Sequence, residues 1–529
     1  MKLSEISAKS FDPGVWEEKG YQLPRFDIAA VRAKTAAEPT WLHFGAGNIF
    51  RAFPAAALQK ALDAGQYDRG VIVAEGFDYE IIDKAYRPYD NLSLLVLLKS
   101  DGSIEKRVIA SVTESLKADF QFESDWERLA QIVKAPSLQM ISFTITEKGY
   151  LTNPADLERG LQPVLMMGKL AALLYQRYLV GKLPVTIQSM DNCSHNGDKV
   201  REGVLAYADR WAQDGLVEAG FAEYLRDRAV VSFPWSMIDK ITPRPDAQVQ
   251  EMLAADGFED NDTIITSRNT YTAPFVNAEE TEYLVIERDF PNGCPPLELG
   301  GIMFTDRETV DNVERMKVCT CLNPLHTALA IYGCLLEHTL ISAEMKDEDL
   351  CGLVTKMGYK EAMPVVVDPG VLKPADFIGA VLTKRLPNPF MPDAPQRIAT
   401  DTSQKLPIRF GETIKAYAKK GLDMDELVLI PLVLAGYARY LTGIDDSGKT
   451  FVPSPDPLLA QLQPLVAGLK LTEEPQDFSC LKQLYSRADV FGVDLYSVGL
   501  GEKIEAMAAE LFAGPGAVRK TLHKYVSLR

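Results

Sequence analysis

The chain has few of the residues that metal centres and disulfide scaffolds need. Its 529 residues include five histidines and seven cysteines. The histidines form no HxH or HxxxH pair, and the cysteines form no CxxC pair. Cys319 and Cys321 would lie about 200° apart around an ideal helix, so they cannot share one ion on it. The sequence therefore predicts no metal site, and it predicts reduced thiols, as in a cytoplasmic protein.

Positive charge and long apolar runs are also scarce. Lysine and arginine number 56 against 73 acidic residues, which gives a net charge of −17. Such a chain gains nothing from counterion release on a phosphate backbone, so we expect no nucleic-acid partner. The most apolar stretch, residues 427–441, contains a proline, a glycine and an arginine. It is too short and too interrupted to span a bilayer, so we predict a buried helix and no membrane partner.

Several common enzyme signatures are absent as well. The sequence has no GxSxG, GxxxxGK[ST] or HExxH motif, which argues against the common hydrolase, P-loop and zinc-protease classes. The first residues hold no apolar stretch of signal-peptide length, and we expect a cytoplasmic location. With 47% hydrophobic and 24% charged residues, the composition is that of a globular protein.

Short apolar, β-branched runs recur through the first 290 residues and alternate with helical segments. Such alternation indicates βαβ units and a mainly parallel sheet. Helices are predicted at 55–65 and 125–135, and strands at 40–44, 70–75, 138–145, 184–190, 229–233 and 283–287. After a Pro/Gly-rich stretch at 289–301 the pattern becomes mainly helical. The sequence therefore predicts an α/β half followed by an α-helical half.

The first predicted strand runs into a glycine-rich turn. Gly45 allows a tight turn, and Gly47 lets backbone N–H groups approach a pyrophosphate at the start of the next helix. Phe50 stands where a third glycine is usual. Because proline is tolerated only in the first turn, Pro54 predicts a helix that begins near Arg51. The alternative interpretation is an ordinary strand-to-helix turn.

Glu75 stands at the end of the second predicted strand. An acidic side chain there accepts hydrogen bonds from the adenosine ribose hydroxyls and repels a 2′-phosphate. This favours NAD over NADP, with a solvated loop carboxylate as the alternative.

Three polar residues interrupt an apolar helical stretch in the second half of the chain. A desolvated lysine such as Lys317 can act as a general base, and the Asn323 amide can donate to a developing oxyanion. His326 could hydrogen-bond a substrate hydroxyl. Each residue also has a structural alternative. The lysine could extend its ammonium group to water, the asparagine could cap a helix, and the histidine could lie in the core with its hydrogen bonds made. Polar segments at 189–197 and 235–243 also follow predicted strands, where open α/β sheets bind ligands.

Taken in order, the motifs resemble those of the mannitol dehydrogenase family of long-chain polyol-specific dehydrogenases. The resemblance extends from about residue 40 to about residue 450. The motifs that carry it are HFGAGNIFRAF (43–53), TITEKGY (144–150), SMDNCSHNG (189–197), SMIDKITP (236–243), KVCTCLNPLH (317–326), KRLPNPF (384–390) and DTSQKLPIRF (401–410).

The resemblance implies a fold and a chemistry. We expect an N-terminal extension over 1–40, a Rossmann-type doubly wound NAD-binding domain over 41–295 and a mostly α-helical substrate domain over 296–529. The implied reaction is metal-independent hydride transfer with NAD on a small sugar acid or polyol. The resemblance implies no particular oligomeric state.

The resemblance also assigns roles to individual residues. Lys317 is implied as the catalytic base, with Asn192 and Asn323 polarising the reacting oxygen. The implied substrate contacts are His326, Asp239 and Arg385. The residues expected to bind the cofactor are Gly45, Gly47, Asn48, Phe50, Arg51 and Glu75.

Within the family, TEKGY and SQKLP look most like the fructuronate reductase branch, also called D-mannonate oxidoreductase. That branch implies interconversion of D-mannonate and D-fructuronate with NAD. The alternatives are a tagaturonate (altronate) reductase and a mannitol or other polyol 2-dehydrogenase. A non-catalytic NAD(H)-binding sensor is a further alternative.

One spacing departs from the family pattern. The family usually has Lys-x4-Asn-x2-His, whereas Lys317 and Asn323 are separated by five residues. In an ideal helix the extra residue rotates Lys317 by about 100°. Because Pro324 disrupts the bond to the Thr320 carbonyl, we predict a kink or a one-residue π-bulge between 318 and 323. A straight helix with Lys317 in solvent would leave Lys240 or Lys148 as the base.

Overall fold

The computed structural model describes residues 1–8 and 10–529. The chain divides into two compact units. The first comprises residues 1–99 and 103–311, and the second comprises residues 100–102 and 312–529.

Described residues of the first unit form the strands of four sheets. These strands are β1 (Tyr21–Gln22), β2 (Trp41–Phe44), β3 (Val71–Glu75), β4 (Ser93–Leu98), β5 (Ile104–Ile109), β6 (Val112–Lys117), β7 (Met140–Phe143), β8 (Val185–Ser189), β9 (Val231–Ser232), β10 (Ser236–Asp239), β11 (Ile264–Ile265), β12 (Tyr271–Thr272), β13 (Phe275–Glu279), β14 (Tyr283–Glu287) and β15 (Met303–Thr305).

The largest sheet has six parallel strands in the order β6-β3-β2-β7-β8-β9. Numbered within the sheet, this is 3-2-1-4-5-6, the order of dinucleotide-binding Rossmann folds. Five of its strands match the runs predicted at 40–44, 70–75, 138–145, 184–190 and 229–233, which confirms those predictions. β6 was not predicted, and the run predicted at 283–287 forms β14 of another sheet. Leu42 and Phe44 enter one buried apolar cluster and Trp41 enters another. The sheet is therefore covered on both faces, as in a doubly wound fold.

Helices cover both faces of this sheet. The helices that begin in the first unit are α1 (Gly14–Glu18), α2 (Ile28–Ala37), α3 (Asn48–Ala52), α4 (Pro54–Asp63), α5 (Glu123–Lys134), α6 (Pro154–Leu157), α7 (Met166–Leu179), α8 (Asn196–Gln213), α9 (Gly220–Arg226), α10 (Ala247–Ala255) and α11 (Arg307–Met316). The predicted helices at 55–65 and 125–135 correspond to α4 and α5 and are confirmed.

Antiparallel pairing in the first unit was not predicted. A mixed sheet has the order β1-β5-β4-β13, a smaller one has the order β10-β14-β15, and β11 pairs with β12. The first 40 residues belong to this unit, because β1 pairs in parallel with β5. The Met1 amino group donates to the Gly257 carbonyl at 3.0 Å, and the Leu3 amide donates to the Asp260 carboxylate at 2.6 Å. The N-terminal segment is thus held by hydrogen bonds at its start and by strand pairing at Tyr21–Gln22.

The second unit is helical. Its helices are α12 (Asn323–Leu335), α13 (Ile341–Glu344), α14 (Glu348–Lys356), α15 (Pro374–Ala380), α16 (Pro395–Ile398), α17 (Thr402–Leu406), α18 (Glu412–Lys420), α19 (Leu429–Leu441), α20 (Leu459–Val466), α21 (Leu481–Tyr485), α22 (Ala488–Phe491), α23 (Gly501–Leu511) and α24 (Ala517–Leu528). Wider π-helical turns interrupt these helices at Lys317–Cys321, Met357–Ala362, Val381–Arg385 and Pro407–Gly411.

The apolar stretch at 427–441 forms α19, and all its residues are buried, which confirms the predicted core helix. Among the described residues, the helical run Arg307–Leu335 is long and apolar enough to cross a membrane by length and composition. In that run, 78% of the most apolar window is buried inside the protein. Burial of this extent is typical of a core helix.

Candidate active site

The glycine-rich turn that follows β2 has a backbone conformation that requires glycine at one position. Gly45 has φ +104°, and a Cβ there would lie 2.2 Å from the Thr144 carbonyl oxygen. Gly47 has ordinary extended backbone, and a Cβ on it would meet nothing within 4 Å. Gly45 therefore serves the fold, whereas Gly47 leaves open space beside the backbone. That open space is what the close approach of a pyrophosphate requires.

The helix after this turn begins earlier than predicted. α3 starts at Asn48, so the prediction of a start near Arg51 is wrong. The chain breaks at Phe53, whose φ is −132°, and α4 then begins with Pro54 as its first residue. Proline has no N–H to leave unsatisfied at that position, so Pro54 begins a second helix and does not mark the first turn of one continuous helix.

Two of the predicted cofactor residues have side chains that serve the fold. The Phe50 ring is fully buried and stacks on His43 with centroids 4.1 Å apart. The Arg51 guanidinium is also fully buried, and it donates to the Ala273 carbonyl at 2.7 Å and to the Asn48 amide oxygen at 2.8 Å. Any contact of Phe50 or Arg51 with a cofactor is thereby limited to their backbone.

Glu75 ends β3 and is buried. Its carboxylate accepts hydrogen bonds from the amides of Ala46 at 2.8 Å, Phe77 at 2.8 Å and Asp78 at 3.2 Å. Burial raises the pKa of the Glu75 carboxyl, and the three N–H donors oppose this rise. Glu75 thus ties the glycine-rich turn to the turn after β3, a role that the sequence did not predict.

A cavity of about 260 Å³ lies beyond the carboxyl ends of β7, β8 and β10. Asn192 and Asp239 both line it, so the structure brings these two predicted residues together. Asn192 is exposed, whereas Asp239 is buried at the end of β10. The remaining residues that line the cavity are Ile49, Thr146, Glu147, Met190, Asp191, Cys193, Ile238 and Lys240.

Asp191 organises this cavity, although no role was predicted for it. Its buried carboxylate accepts from the amides of Ile145 at 3.0 Å and Thr146 at 2.9 Å, and from the Tyr150 hydroxyl. Burial raises the pKa of the Asp191 carboxyl. The contact holds the TITEKGY loop against the residue that precedes Asn192. The feature of the sequence that could have indicated this role of Asp191 is its place in a polar cluster directly after a predicted strand.

The ammonium group of Lys240, an alternative candidate for the base, already has two hydrogen-bond acceptors. Its ammonium donates to the Glu282 carboxylate at 2.6 Å and to the Glu279 carbonyl at 3.0 Å. Burial lowers the pKa of Lys240, and Glu282 opposes this shift. Lys148, the other alternative candidate, is exposed. Among the described residues, no group of three or more His, Cys, Asp or Glu side chains could hold a metal ion.

The predicted departure from a regular helix is present at Lys317. A π-helical turn covers Lys317–Cys321, and Leu322 leaves helical geometry with φ −130° before α12 begins. Pro324 is within the first turn of α12, where its missing N–H breaks no bond. Lys317 is only 4% exposed. The prediction of a π-bulge is confirmed, and the arrangement with Lys317 in solvent is not found.

His326 follows in the first turn of α12. Burial lowers the pKa of its imidazole to about 4, and the guanidinium groups of Arg385, Arg409 and Arg397 add to this shift. Asp393 opposes it, with a carboxylate oxygen 3.7 Å from Nε2. Nε2 is buried and has no hydrogen-bond partner. His326 is therefore neutral near pH 7, with one ring nitrogen available to a ligand.

Two arginines near His326 stand in π-helical turns. Arg385 ends the turn Val381–Arg385 and is 4% exposed. Arg409 lies in the turn Pro407–Gly411 and donates to the Thr327 hydroxyl at 2.6 Å. Arg385 was predicted, whereas Arg409 was not, although it belongs to the DTSQKLPIRF motif. The second unit thus places Asn323, His326 and two guanidinium groups around the start of α12.

Comparisons with known proteins address the family directly. The family model described as mannitol dehydrogenase Rossmann domain matches residues 39–298, and the model described as mannitol dehydrogenase C-terminal domain matches residues 309–505. The chain belongs to the mannitol dehydrogenase family. The predicted family and the predicted fold class are therefore confirmed.

Relatives match over nearly the whole chain. A D-mannonate oxidoreductase from Thermotoga maritima is 51% identical over 540 residues, which covers 99% of each chain. A mannitol 2-dehydrogenase from Cereibacter sphaeroides is 27% identical and covers 90% of this chain and 94% of its own. This member of the mannitol dehydrogenase family is thus similar to dehydrogenases of both sugar acids and polyols.

Solved structures of the family agree in fold. The ternary complex of Pseudomonas fluorescens mannitol 2-dehydrogenase with NAD and D-mannitol matches with a TM-score of 0.69 and 25% identity, covering 100% of both chains. A substrate-free D-sorbitol dehydrogenase matches with a TM-score of 0.74 and 24% identity, covering 96% of this chain and 97% of its own. The second likeness supports the fold alone.

Proposed function

We propose that the protein is an NAD-dependent dehydrogenase that interconverts D-mannonate and D-fructuronate. The observation that supports this most is the 51% identity to a D-mannonate oxidoreductase over 99% of both chains. The match covers 99% of this chain, so it spans the positions proposed for the cofactor, the base and the substrate.

The glycine-rich turn supports NAD as the cofactor. Gly47 leaves open space beside the backbone at the carboxyl end of β2, where a pyrophosphate lies in a sheet of this strand order. The buried Glu75 carboxylate at the end of β3 disfavours a 2′-phosphate. NAD bound at this turn would supply the hydride acceptor for oxidation of the substrate, and NADH the hydride donor for the reverse reaction.

Lys317 is proposed as the general base that takes the proton of the reacting hydroxyl. Lys317 is buried, so its side chain meets a substrate out of contact with bulk water. The Asn192 and Asn323 amides would donate to the developing oxyanion, each contributing about 2–4 kcal/mol by analogy with oxyanion holes.

The remaining predicted residues are proposed to contact the substrate. A neutral His326 can donate or accept a hydrogen bond with a substrate hydroxyl through its unpartnered Nε2. The buried carboxylate of Asp239 faces the cavity that Asn192 also lines, where it can accept from hydroxyl groups. Arg385 supplies hydrogen-bond donors from the second unit.

A second candidate function is oxidation of a neutral polyol. It is favoured by the similarity to the mannitol 2-dehydrogenases of Cereibacter sphaeroides and Pseudomonas fluorescens. Their identities of 27% and 25% are about half that of the D-mannonate oxidoreductase, so we place this function second.

The test is NADH oxidation by the purified protein with D-fructuronate, D-tagaturonate and D-fructose in parallel. We expect the highest kcat/KM with D-fructuronate, and a lower rate when NADPH replaces NADH. A preference for D-fructose would instead support the second candidate function, oxidation of a neutral polyol. Preference for D-tagaturonate would keep the chemistry and change the substrate stereochemistry. NADH binding without turnover of any substrate would refute a catalytic role.

A further inference from the structure

Arg409 is a partly buried cation that has only neutral hydrogen-bond acceptors. Its Nη1 donates to the Thr327 hydroxyl at 2.6 Å and to the Asn323 carbonyl at 3.4 Å. Within the part of the chain that the structure describes, no carboxylate lies within ion-pair distance of this guanidinium, and its Nε and Nη2 groups make no hydrogen bond. A cation partly removed from water, whose remaining N–H groups have no acceptor among the described residues, can be compensated by an anion from outside the chain.

The surroundings of Arg409 add positive charge. Lys405 lies four residues earlier, and its ammonium donates to the carbonyls of Ile398 at 2.9 Å and Thr400. Burial lowers the pKa of Lys405, and the neighbouring Arg409 charge lowers it further. Burial alone lowers the pKa of Arg409 to about 10. Two cations close together, each bonded to neutral oxygens, create a local positive potential that favours an anionic ligand.

The position of Arg409 relates it to residues proposed for catalysis and substrate binding. Both its acceptors belong to the first turns of α12, at Asn323 and Thr327. His326 lies between these two residues, and the charge of Arg409 contributes to the low pKa of its imidazole. A molecule that hydrogen-bonds His326 therefore has the guanidinium within its immediate surroundings.

We propose that Arg409 binds the carboxylate of the sugar-acid substrate and so selects uronates over neutral ketoses. This inference rests on the proposed function and names the residue that sets its substrate class. One guanidinium nitrogen is fixed by Thr327, and the remaining N–H groups match the two oxygens of a carboxylate. A neutral ketose brings no charge, so the guanidinium stays uncompensated when such a substrate binds.

The test compares the wild-type protein with R409Q, R409K and a control, K415Q. Lys415 is an exposed cation on α18 that pairs with Glu412, so K415Q removes one positive charge from the same helical run. For each protein, kcat/KM is measured with NADH on D-fructuronate and on D-fructose. NADH binding by fluorescence and the thermal midpoint establish that each variant is folded.

We expect R409Q to lower kcat/KM for D-fructuronate by about 100-fold or more, mainly through KM, because a buried carboxylate loses its partner. The D-fructose value should change by less than about threefold, R409K should recover part of the D-fructuronate loss, and K415Q should resemble the wild type. Equal losses on both substrates, or no loss on D-fructuronate, would overturn the role of Arg409 and leave the proposed function standing. A wild-type preference for D-fructose would instead refute the proposed function, and this inference with it.

Discussion

Replacing Glu344 by glutamine should make the second unit more resistant to alkaline pH. Glu344 is the last residue of α13, its side chain is fully buried, and neither carboxyl oxygen has a hydrogen-bond partner. It lies against α12 so closely that a Cβ on Gly333 would be 2.1 Å from its Oε1. Burial raises the pKa of the Glu344 carboxyl to about 9, and the negative charge of Asp347 adds to the shift. Glu344 is therefore protonated in the folded protein at neutral pH.

The size of the effect follows from the difference between the folded pKa of about 9 and the ordinary value of 4.5. Because the folded pKa is the higher one, the folded state binds the Glu344 proton more tightly than the unfolded state. The resulting stabilisation is fully present below pH 4.5 and is lost as pH rises towards 9. At about 1.4 kcal/mol per pH unit, Glu344 alone lowers the free energy of unfolding by about 4 kcal/mol between about pH 5 and pH 8.

The assay is urea unfolding of the wild type and of Glu344→Gln at several pH values across that range. A glutamine does not titrate, so the variant should gain about 4 kcal/mol relative to the wild type between the two ends. Glu348→Gln is the matched control, because Glu348 is exposed on the neighbouring α14. A difference between variant and wild type that stays constant with pH would refute the reasoning.

Three further substitutions test the proposed cofactor and base residues. Lys317→Ala should lower kcat by about 10²–10⁴-fold, the usual contribution of a general base, while NADH binding measured by fluorescence stays near the wild-type value; near-normal turnover would show that another group is the base. Gly47→Ala should keep the thermal midpoint, because its Cβ meets nothing within 4 Å, yet weaken NADH binding. Gly45→Ala should lower the thermal midpoint, because its Cβ would lie 2.2 Å from the Thr144 carbonyl. Unchanged NADH affinity in Gly47→Ala, or an unchanged midpoint in Gly45→Ala, would contradict the respective role.

The parallel strands could be predicted because their burial on both faces is written into the sequence as continuous apolar runs. Val71–Glu75 is an example, with four apolar residues before the terminal Glu and every residue buried. The mixed sheet was harder to predict. Ile104–Ile109 contains Glu, Lys and Arg on a partly exposed strand, and its pairing with Ser93–Leu98 and with Tyr21–Gln22 depends on contacts far apart in the chain.

The candidate site was predictable where a residue type has a local reason for its position. Pro324 and the unusual lysine spacing were enough to predict the π-helical turn. The structural roles of the Glu75 and Asp191 carboxylates were not predictable, because the groups that donate hydrogen bonds to them are backbone amides on other loops. Arg409 was missed because only the fold shows that its guanidinium has neutral acceptors and no acidic partner among the described residues.

The π-helical turns have a consequence for how relatives of this protein are compared. Each holds one residue more than the α-helical turn it replaces, and three of them contain Lys317, Arg385 and Arg409. Two relatives can therefore present the same side chain at the same place with chains that differ by one residue. An alignment that forbids gaps inside helices would pair the wrong residues there. A motif search with a fixed lysine-to-asparagine interval would pass over this chain altogether.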